Sequence, residues 1–95
     1  AYPGGVEPPF DPAKDALNRG KHGLPLAFGE RVFGDPGHVV IASIRPIDGE
    51  ERFKAVGLVE GRHFTTVFTW RDGRRRFISV RRSNRGEERL HRSAR

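Results

Sequence analysis

The sequence predicts an α+β fold in which two N-terminal helices pack on an antiparallel four-stranded sheet and a short C-terminal helix follows. Two observations carry this prediction. Residues 11–34 hold helix-capping residues and apolar positions at helical spacing, whereas residues 38–82 are rich in Val, Ile, Phe and Thr. Short Gly-containing links divide the second region into four parts. Helices followed by such a run of strands are typical of α+β proteins.

The first predicted helix begins at Pro12 and ends near His22. Asp11 is a favourable N-cap, and Pro12 fits the first helical position because its missing N–H needs no partner there. Gly23 follows as a left-handed C-cap. The apolar stripe of this helix consists of Ala13, Ala16 and Leu17.

Two shorter helices are predicted on either side of the strands. Residues 26–34 form the second N-terminal helix, which ends at Asp35-Pro36-Gly37 and directs inward the side chains of Phe28, Val32 and Phe33. The C-terminal helix starts at Asn84, an N-cap with Glu87 three residues later. That spacing is typical of a capping box, in which each residue satisfies a free backbone N–H of the other.

The four predicted strands are residues 38–45, 52–60, 62–71 and 74–82. Their links carry Asp48-Gly49, Glu60-Gly61 and Asp72-Gly73, and an Asp-Gly link of two residues is a strong hairpin signal because both residues take positive φ. Strands joined so closely are antiparallel neighbours, so the prediction is a meander. The third strand has partly apolar side chains on both faces, which predicts a central position.

Alternation along the last strand predicts which of its side chains meet the helices. Ile78 and Val80 point to the helix-covered face, whereas Phe77, Ser79 and Arg81 point to the other face. We expect this second face to be basic and partly open, and therefore to carry the function.

The charge of the chain is concentrated in its second half. Residues 1–50 hold five Lys/Arg and seven Asp/Glu, whereas residues 51–95 hold thirteen and five, so a net charge of +6 is divided as −2 and +8. Most of the later cations are arginines, whose planar fork binds phosphate well. This asymmetry indicates a nucleic acid or an acidic protein as partner. A basic surface that only aids solubility is the alternative.

Length and composition exclude several classes of protein. We expect one domain at residues 10–95 after a flexible leader at 1–9. The absence of Cys excludes disulfides and thiolate metal sites. No apolar run is long enough to cross a bilayer and no signal peptide is visible, so no membrane partner is expected and the cytoplasm is the default location. The four His lie on different predicted elements, so neither a metal nor another cofactor is expected.

Several short motifs occur in a fixed order over residues 10–92. They are Asp11-Pro12-Ala13-Lys14, Asn18-Arg19-Gly20-Lys21-His22-Gly23, Val32-Phe33-Gly34-Asp35-Pro36, Asp48-Gly49-Glu50-Glu51-Arg52-Phe53, and Ile78-Ser79-Val80-Arg81-Arg82 followed by Glu87. Each motif is weak alone, but the ordered set resembles the BrnT toxins of bacterial type II toxin–antitoxin systems. The chain departs from that family at five positions, most of which we interpret as packing changes: Phe10 for Trp, Leu26 for Phe, Val80 for a small residue, Ser83 for Ala and His91 for Tyr.

This resemblance implies a RelE-like fold and an endoribonuclease that stops translation by cutting mRNA, either free or on the ribosome. It also implies a ribbon-helix-helix antitoxin, encoded beside the toxin, which covers it in a hetero-oligomer. RNA can be cut without metal when its 2′-hydroxyl attacks the adjacent phosphate. Such cleavage needs groups that move protons and cations that stabilise the phosphate in the transition state.

Four residues are the candidates for this chemistry. Arg81 is the first choice for phosphate stabilisation, because it lies on the predicted open face and matches the arginine of the I-S-x-R motif. Arg52 and Arg71, at strand ends bordering that face, follow. His22 titrates near neutral pH and is the candidate acid or base. The alternative for Arg81 is a surface arginine or the partner of a nearby carboxylate, and for Arg52 and Arg71 it is a plain surface arginine. The alternative for His22 is a cap on the C-terminus of the helix.

Other residues are predicted to hold RNA rather than to react with it. They supply positive charge or a ring for base stacking, and they are Lys21, Arg74, Arg76, Phe77 and Arg82. Trp70 is interpreted mainly as a core residue, and Glu50 and Glu87 as turn and capping residues. A basic module that binds RNA or protein without cleaving anything is the alternative function.

Overall fold

The computed structural model describes residues 10–43 and 51–94. Its elements in chain order are helix α1 (Pro12–His22), a 3-10 turn (Leu26–Phe28), helix α2 (Gly29–Phe33), strands β1 (Val39–Ser43), β2 (Arg52–Val59), β3 (Arg62–Arg71) and β4 (Arg74–Arg82), and helix α3 (Arg85–Ser93). The predicted α+β class is confirmed. The predicted leader at 1–9, the Asp48-Gly49 link and Glu50 lie outside the described residues.

The four strands form one antiparallel sheet in the order β1-β2-β3-β4, so the predicted meander and the central position of β3 are confirmed. Two tight links have both central residues at positive φ, with Glu60 at 52° and Gly61 at 78°, and with Asp72 at 53° and Gly73 at 75°. These angles match the right-handed twist of the flanking strands and fix the register of each hairpin.

Helix α1 has the boundaries that the sequence predicts. The Asp11 carboxylate accepts a hydrogen bond from the Ala13 N–H at 2.9 Å, and Pro12 occupies the first helical position. Gly23 ends the helix with φ 71°, and its N–H donates to the Arg19 carbonyl at 2.9 Å.

The predicted second N-terminal helix over 26–34 is wrong in its length and form. Only one full helix precedes the sheet, and the segment after it is a 3-10 turn that continues into the five-residue α2. No side chain caps the N-terminus of either piece. The apolar positions are nevertheless as predicted, because Val32 is fully buried and Phe28 and Phe33 pack against the core.

A β-bulge interrupts the alternation that was predicted for the side chains of β4. Val67 pairs with Ser79 but Phe68 pairs with Phe77, so Ile78 is an extra residue in β4. Phe77 therefore points to the same face as Val80, and Ile78 does not, contrary to the prediction. Val80, Ser79 and Arg81 lie on the faces that the sequence predicts.

The two faces of the sheet are covered by different helices. On the face that carries α2, here called the α2 face, Phe68, Phe77 and Val80 form the centre of the hydrophobic core. On the opposite face, here called the α3 face, α3 covers part of the sheet. The expectation that all long helices lie on one face is therefore wrong, since α3 lies on the face expected to be open.

Candidate functional site

Asn18 fixes α1 to the outer edge of β4. Its side-chain nitrogen donates to the carbonyls of Leu24 at 2.8 Å and Val80 at 3.0 Å, and its side-chain oxygen accepts from the Val80 N–H at 3.1 Å. The residue is 6% exposed. The amide thus pairs with β4 much as a neighbouring strand would, and it sets the position of α1 beside the sheet.

A cleft of about 370 Å³ opens between α1 and the α3 face. Its α1 residues recur at intervals of three or four, so they occupy one side of the helix. The full lining is Lys14, Leu17, Asn18, Lys21 and His22 from α1, Arg52 from β2, and Ile78 and Ser79 from β4. The bulged Ile78 therefore supplies part of the floor. This volume is at the lower end of the range for sites that enclose a small ligand.

The cleft gathers positive charge without acidic residues in its lining. Lys14 and Lys21 are exposed on α1, and Arg52 contributes the third cation. The Nε of Arg52 is buried and has no hydrogen-bond partner among the described residues. His22 is half-buried and is the one histidine of the cleft lining. The structure thus brings together three sequence-predicted residues: His22, Lys21 and Arg52.

Arg81 lies on the α3 face but is paired with Glu87. Its Nη1 and Nη2 donate to the two carboxylate oxygens of Glu87 at 2.7 and 2.8 Å. This hydrogen bonding raises the pKa of Arg81, since it stabilises the charged guanidinium more than burial destabilises it. The arrangement is the carboxylate partnership noted as the alternative role of Arg81, and it ties β4 to α3.

Glu87 is held in its ionised form by several donors. The side chain is 6% exposed, and it accepts from Thr65 Oγ1 and from the Asn84 N–H, both at 3.0 Å. Burial raises the pKa of the Glu87 carboxyl, but the hydrogen bonds from Arg81, Asn84 and Thr65 outweigh it and lower the pKa to about 2. The predicted capping box with Asn84 is confirmed. Lys54 adds a second cation, with its Nζ 3.5 Å from the carboxylate.

A second polar chain lies beneath α3 and begins at Asp35. Its carboxylate accepts from the N–H groups of Leu58 and Gly37 at 2.8 Å, and it lies 2.8 Å from Nε2 of the fully buried His91. Nδ1 of His91 is in turn 3.2 Å from Nε2 of His63. Burial raises the pKa of Asp35, whereas hydrogen bonds from Leu58, Gly37 and His91 outweigh it and lower the pKa to about 2.

Two departures from the family pattern therefore belong to polar contacts rather than to apolar packing. His91 joins the chain from Asp35, and Ser83 lies 2.8 Å from the Thr65 hydroxyl, oxygen to oxygen. For Ser83 the interpretation as a packing change is therefore incomplete, and His91 was the departure that had been set apart from packing changes. Both contacts hold α3, or the segment leading into it, against the sheet.

The remaining predicted arginines do not line the cleft. Arg71 and Arg74 are exposed at the β3–β4 hairpin, and Arg76 is half-buried on β4. Pairing with Thr69 and alternation place these three on the α3 face. Arg82 lies on the α2 face, where its guanidinium carbon is 5.4 Å from the centroid of the Phe64 ring. The sheet therefore separates Arg82 from the other three arginines.

Phe77 was expected on the open face and Trp70 mainly in the core, but the structure shows the reverse. Phe77 is fully buried, and its ring centroid lies 6.3 Å from that of Phe33, so the prediction that it stacks on a base is wrong for this structure. Trp70, interpreted mainly as a core residue, is 52% exposed. The bulge at Ile78 accounts for the first error, because it turns Phe77 to the α2 face.

Sequence reasoning missed five of the eight residues that line the cleft. Lys14 and Leu17 belong to the same helix side as Lys21, so the spacing of seven between the two lysines was a usable signal. The clamp by Asn18 gave no such signal, because its partner Val80 is 62 residues away. Ile78 was missed because the bulge cannot be read from strand alternation, whereas Ser79 lies on the predicted face but was not proposed as a site residue.

The described residues contain neither a candidate metal site nor a candidate membrane span. No set of three or more His, Cys, Asp or Glu side chains in this part of the chain is arranged to hold a metal ion. None of the helices within the described ranges has the length and apolar character needed to span a membrane.

Comparison with models of known protein families identifies a match that covers most of the chain. The family model described as the ribonuclease toxin BrnT of type II toxin–antitoxin systems matches residues 10–87. That range contains α1, α2, all four strands and every residue of the cleft. None of the individually curated proteins matches the chain.

Proposed function

Because this chain belongs to the BrnT family of ribonuclease toxins of type II toxin–antitoxin systems, we propose that it cleaves single-stranded RNA in the cleft beside α1. The observation that supports this proposal is the cationic wall formed by Lys14, Lys21 and Arg52, with no acidic residue in the lining. Phosphates bind where such cations converge. A cleft of this size admits one nucleotide unit, which favours an unpaired strand whose bases can be splayed apart.

The apolar part of the cleft supports the same substrate. Leu17 is 73% exposed on one wall, and the bulged Ile78 lies on the floor. A nucleotide presents both an apolar base and a charged phosphate, so it matches a cleft with both kinds of lining. Arg52 has a further reason to bind a phosphate, because its buried Nε lacks a partner among the described residues.

In the proposed reaction, the 2′-oxygen forms a bond to the adjacent phosphorus and the bond from phosphorus to the 5′-oxygen breaks. His22 accepts the proton of the attacking 2′-hydroxyl, and water gives a proton to the leaving 5′-oxygen. Arg52 and Lys21 stabilise the extra negative charge on the phosphate oxygens in the transition state. The products are a 2′,3′-cyclic phosphate and a free 5′-hydroxyl, and no metal takes part.

Arg81 has a different role in this proposal from the one that its motif suggests. Both of its terminal nitrogens are hydrogen-bonded to Glu87, and its side chain is 26% exposed. We propose that Arg81 is a positioning residue, which holds α3 against the sheet, and that Arg52 carries the charge stabilisation. The role of Arg71 as a catalytic cation stays a prediction, as does RNA steering by Arg74, Arg76 and Arg82.

The wider biology is also a proposal. We infer that cleavage of mRNA, free or on the ribosome, blocks translation, and that a ribbon-helix-helix antitoxin encoded by the neighbouring gene neutralises the chain in a hetero-oligomer. The family description supports an antitoxin partner and RNA as substrate. An acidic antitoxin segment complements the positive charge of residues 51–95 and would inhibit by covering the cationic residues.

The test is cleavage of a defined single-stranded RNA in EDTA by the purified chain and by Arg52→Ala. Loss of one charge-stabilising group should reduce the rate by about a hundredfold. Arg89→Ala is the matched control, because Arg89 is exposed on α3 and does not line the cleft. Products ending in 2′,3′-cyclic phosphate would support the mechanism. Equal rates for Arg52→Ala and the control would contradict the assignment of the site.

Three further comparisons separate the proposed roles. His22→Asn should lower the rate of cleavage by about a hundredfold, since Asn cannot accept the proton of the 2′-hydroxyl. Arg81→Lys should lower stability more than it lowers the rate of the folded fraction, since Lys cannot donate two parallel bonds to Glu87. A rate loss in Arg81→Lys as large as in Arg52→Ala would restore Arg81 as the catalytic cation.

A binding module without catalysis is the second candidate. It is favoured by the cleft lining, which contains one histidine and no carboxylate, and therefore no pair of conventional acid and base. In that case the chain binds single-stranded RNA in a salt-sensitive manner, and no cleavage occurs with RNA alone or with ribosomes present.

A further inference from the structure

Three residues follow one another along the side of α1 that lines the cleft. Lys14, Leu17 and Lys21 are spaced by three and four residues, so their side chains form one row on the helix. The two lysines are about 10 Å apart along the helix axis. Leu17, which is 73% exposed, lies between them. This wall of the cleft thus has a cation at each end and an apolar side chain in the middle.

The two ends of this row differ in the proposed reaction. At the Lys21 end, His22 is the next residue of α1 and also lines the cleft. In that reaction, these two residues act on the scissile phosphate and on the attacking 2′-hydroxyl, whereas Lys14 at the other end takes no part. A lining cation without a catalytic task is suited to bind another phosphate of the same strand.

Lys14 keeps its positive charge available for such a ligand. The nearest acidic residues in the sequence are Asp11 and Asp15, and both are engaged elsewhere. Asp11 caps α1 through its side chain, and Asp15 accepts hydrogen bonds from the Leu26 N–H at 2.7 Å and from Arg19 Nε at 3.0 Å. Lys14 itself is exposed, so a ligand reaches it directly from solvent.

We propose that Lys14 binds the 5′-phosphate of the nucleotide that is cleaved, so that the cleft holds one nucleotide by both of its phosphates. This inference rests on the proposed function, which places the scissile phosphate at Lys21. The scissile phosphate is attached to the 3′-oxygen of that nucleotide, and the other phosphate extends from the 5′-oxygen on the opposite side of the sugar. With the base against Leu17, the 5′-phosphate lies towards Lys14.

Binding of the scissile phosphate by both lysines fits the cleft less well. The two side chains would have to bend towards each other over Leu17, where they would fill the space that the base needs. Two like charges would also be held close together, which costs free energy. Separate phosphates give each lysine its own anion and leave Leu17 and the bulged Ile78 to contact the base.

This arrangement determines where in a strand the chain cuts. A nucleotide inside a strand has a phosphate on each side, whereas the first nucleotide of a strand that begins with a 5′-hydroxyl has one phosphate only. The proposed reaction leaves a 5′-hydroxyl on the downstream fragment. The first linkage of each new fragment is therefore a poor substrate, so cleavage stays internal and does not continue as trimming from the new end.

The test compares three uridine dinucleotides as substrates of the purified chain at low salt. The first has only its internal phosphate, the second has an added 5′-phosphate, and the third has an added 3′-phosphate. The 5′-phosphate should raise kcat/KM by about fivefold, the upper range for an ion pair at an exposed site. The 3′-phosphate carries the same charge and should change kcat/KM by less than about twofold, since it extends away from Lys14.

Lys14→Ala should remove the gain from the 5′-phosphate, so that the second dinucleotide is cleaved no better than the first. Lys14→Arg keeps the charge and should retain most of the gain. Arg89→Ala is the matched control, because it also removes an exposed cation but from outside the cleft, and it should show the full gain. Each ratio is taken within one variant, so a general loss of folded protein does not affect it.

Binding of uncleavable analogues tests the same phosphate subsite without catalysis. The first and second dinucleotides are made with a 2′-deoxy sugar in the cleaved nucleotide, and their dissociation constants are measured by NMR titration of the isotope-labelled chain. The 5′-phosphate should tighten binding by about fivefold for the wild type but not for Lys14→Ala. If the wild type cleaves no RNA, the proposed function is contradicted, and this comparison still decides whether Lys14 forms a phosphate subsite.

Three results would overturn the inference. Equal gains from the 5′-phosphate and the 3′-phosphate would indicate general attraction by the positive charge of the chain. A gain that persists in Lys14→Ala would place the 5′-phosphate elsewhere. A gain from the 3′-phosphate alone would show that the strand runs through the cleft in the opposite direction.

Discussion

At the scale of single residues, Asn18 shows how one amide can join two elements. Its three hydrogen bonds use both N–H donors and the oxygen, and two of them pair the backbone N–H and carbonyl of Val80. An edge strand exposes such backbone groups, and they must find partners if they are covered. Asn18 is thus both the structural link of α1 to the sheet and the residue that positions the cationic side of α1.

Asn18→Ala should lower the free energy of unfolding by roughly 2–4 kcal/mol, because buried backbone groups of Val80 and the carbonyl of Leu24 lose their partners. Urea denaturation measures this change. Lys14→Ala is the control, since Lys14 is exposed one turn away and its loss should change stability by less than about 0.5 kcal/mol. Equal midpoints for the two variants would show that Asn18 does not hold α1.

The lowered pKa of Glu87 leads to a prediction about the stability of the fold in acid. Its pKa in the folded chain is about 2, against an ordinary value of 4.5. A carboxyl whose folded pKa is lowered stabilises the fold above its unfolded pKa, and this contribution disappears as pH falls towards the folded value. The free energy of unfolding should therefore fall between about pH 5 and pH 2, with Asp35 contributing in the same direction.

Glu87→Gln tests this assignment by denaturation at a series of pH values. The variant should be less stable than the wild type at neutral pH, because it leaves Arg81 with a weaker partner. Its stability should also fall less on acidification. Glu60→Gln is the control, since the Glu60 side chain is 80% exposed and its ion pair with Arg31 is on the surface. A pH profile for Glu87→Gln parallel to that of the wild type would exclude the carboxyl as the source.

At the scale of elements, the packing of α2 on β2 depends on a glycine. A Cβ on Gly57 would lie 2.6 Å from the carbonyl oxygen of Val32, a backbone atom that cannot move aside cheaply. Gly57→Ala should therefore destabilise the chain by roughly 1–3 kcal/mol, by forcing α2 away from the sheet. Thermal or urea unfolding measures the effect.

Gly20→Ala is the control for Gly57→Ala, and it is expected to change stability in the opposite direction. Gly20 lies inside α1, and a Cβ there would meet no atom within 4 Å. Gly20→Ala should therefore stabilise the chain by about 0.5–1 kcal/mol, because Ala has the higher helix propensity. A destabilised Gly20→Ala would indicate that α1 is held in a geometry that the helix itself does not favour.

The elements differ in how far the sequence predicts them. The bounds of α1, the β2–β3 and β3–β4 hairpins and the start of α3 follow from local chemistry, because caps and tight turns involve residues close in sequence. The bulge at Ile78 and the 3-10 start of the Leu26–Phe33 segment depend on packing. Alternation alone therefore placed Phe77 on the wrong face, and helical spacing alone gave one continuous helix.

The candidate site, too, could be predicted from the sequence only where residue type and local motif suffice. His22, Lys21 and Arg52 were found from the sequence, because residue type and motif position suffice to suggest them. For Arg81, the sequence suggested a carboxylate partner as an alternative role but did not identify that partner as Glu87. Which of several arginines has a carboxylate partner is decided by tertiary structure, and residue identity carries little information about it.

At the scale of the whole molecule, the net charge of +6 predicts that RNA binding is sensitive to salt. If the three cleft cations each neutralise one phosphate, affinity for a single strand should fall about twentyfold between about 50 and 200 mM salt. Fluorescence anisotropy with a labelled oligonucleotide measures the slope. Arg52→Ala should reduce the slope of log affinity against log salt by about 0.7, whereas Arg89→Ala should not change it. A slope near zero would contradict phosphate binding by these residues.

The closure of the β4 edge limits how the chain can assemble. Phe10 forms a bridge to Phe77 and Asn18 pairs with Val80, so two points along the outer side of β4 are already occupied. Fibre growth by strand addition requires two free edge strands on every copy, because each copy must pair with one neighbour on either side. Within the described sheet this chain retains at most one, along β1. Strand addition to the described sheet is therefore favoured at β1, where an edge-to-edge contact would join two copies as a pair.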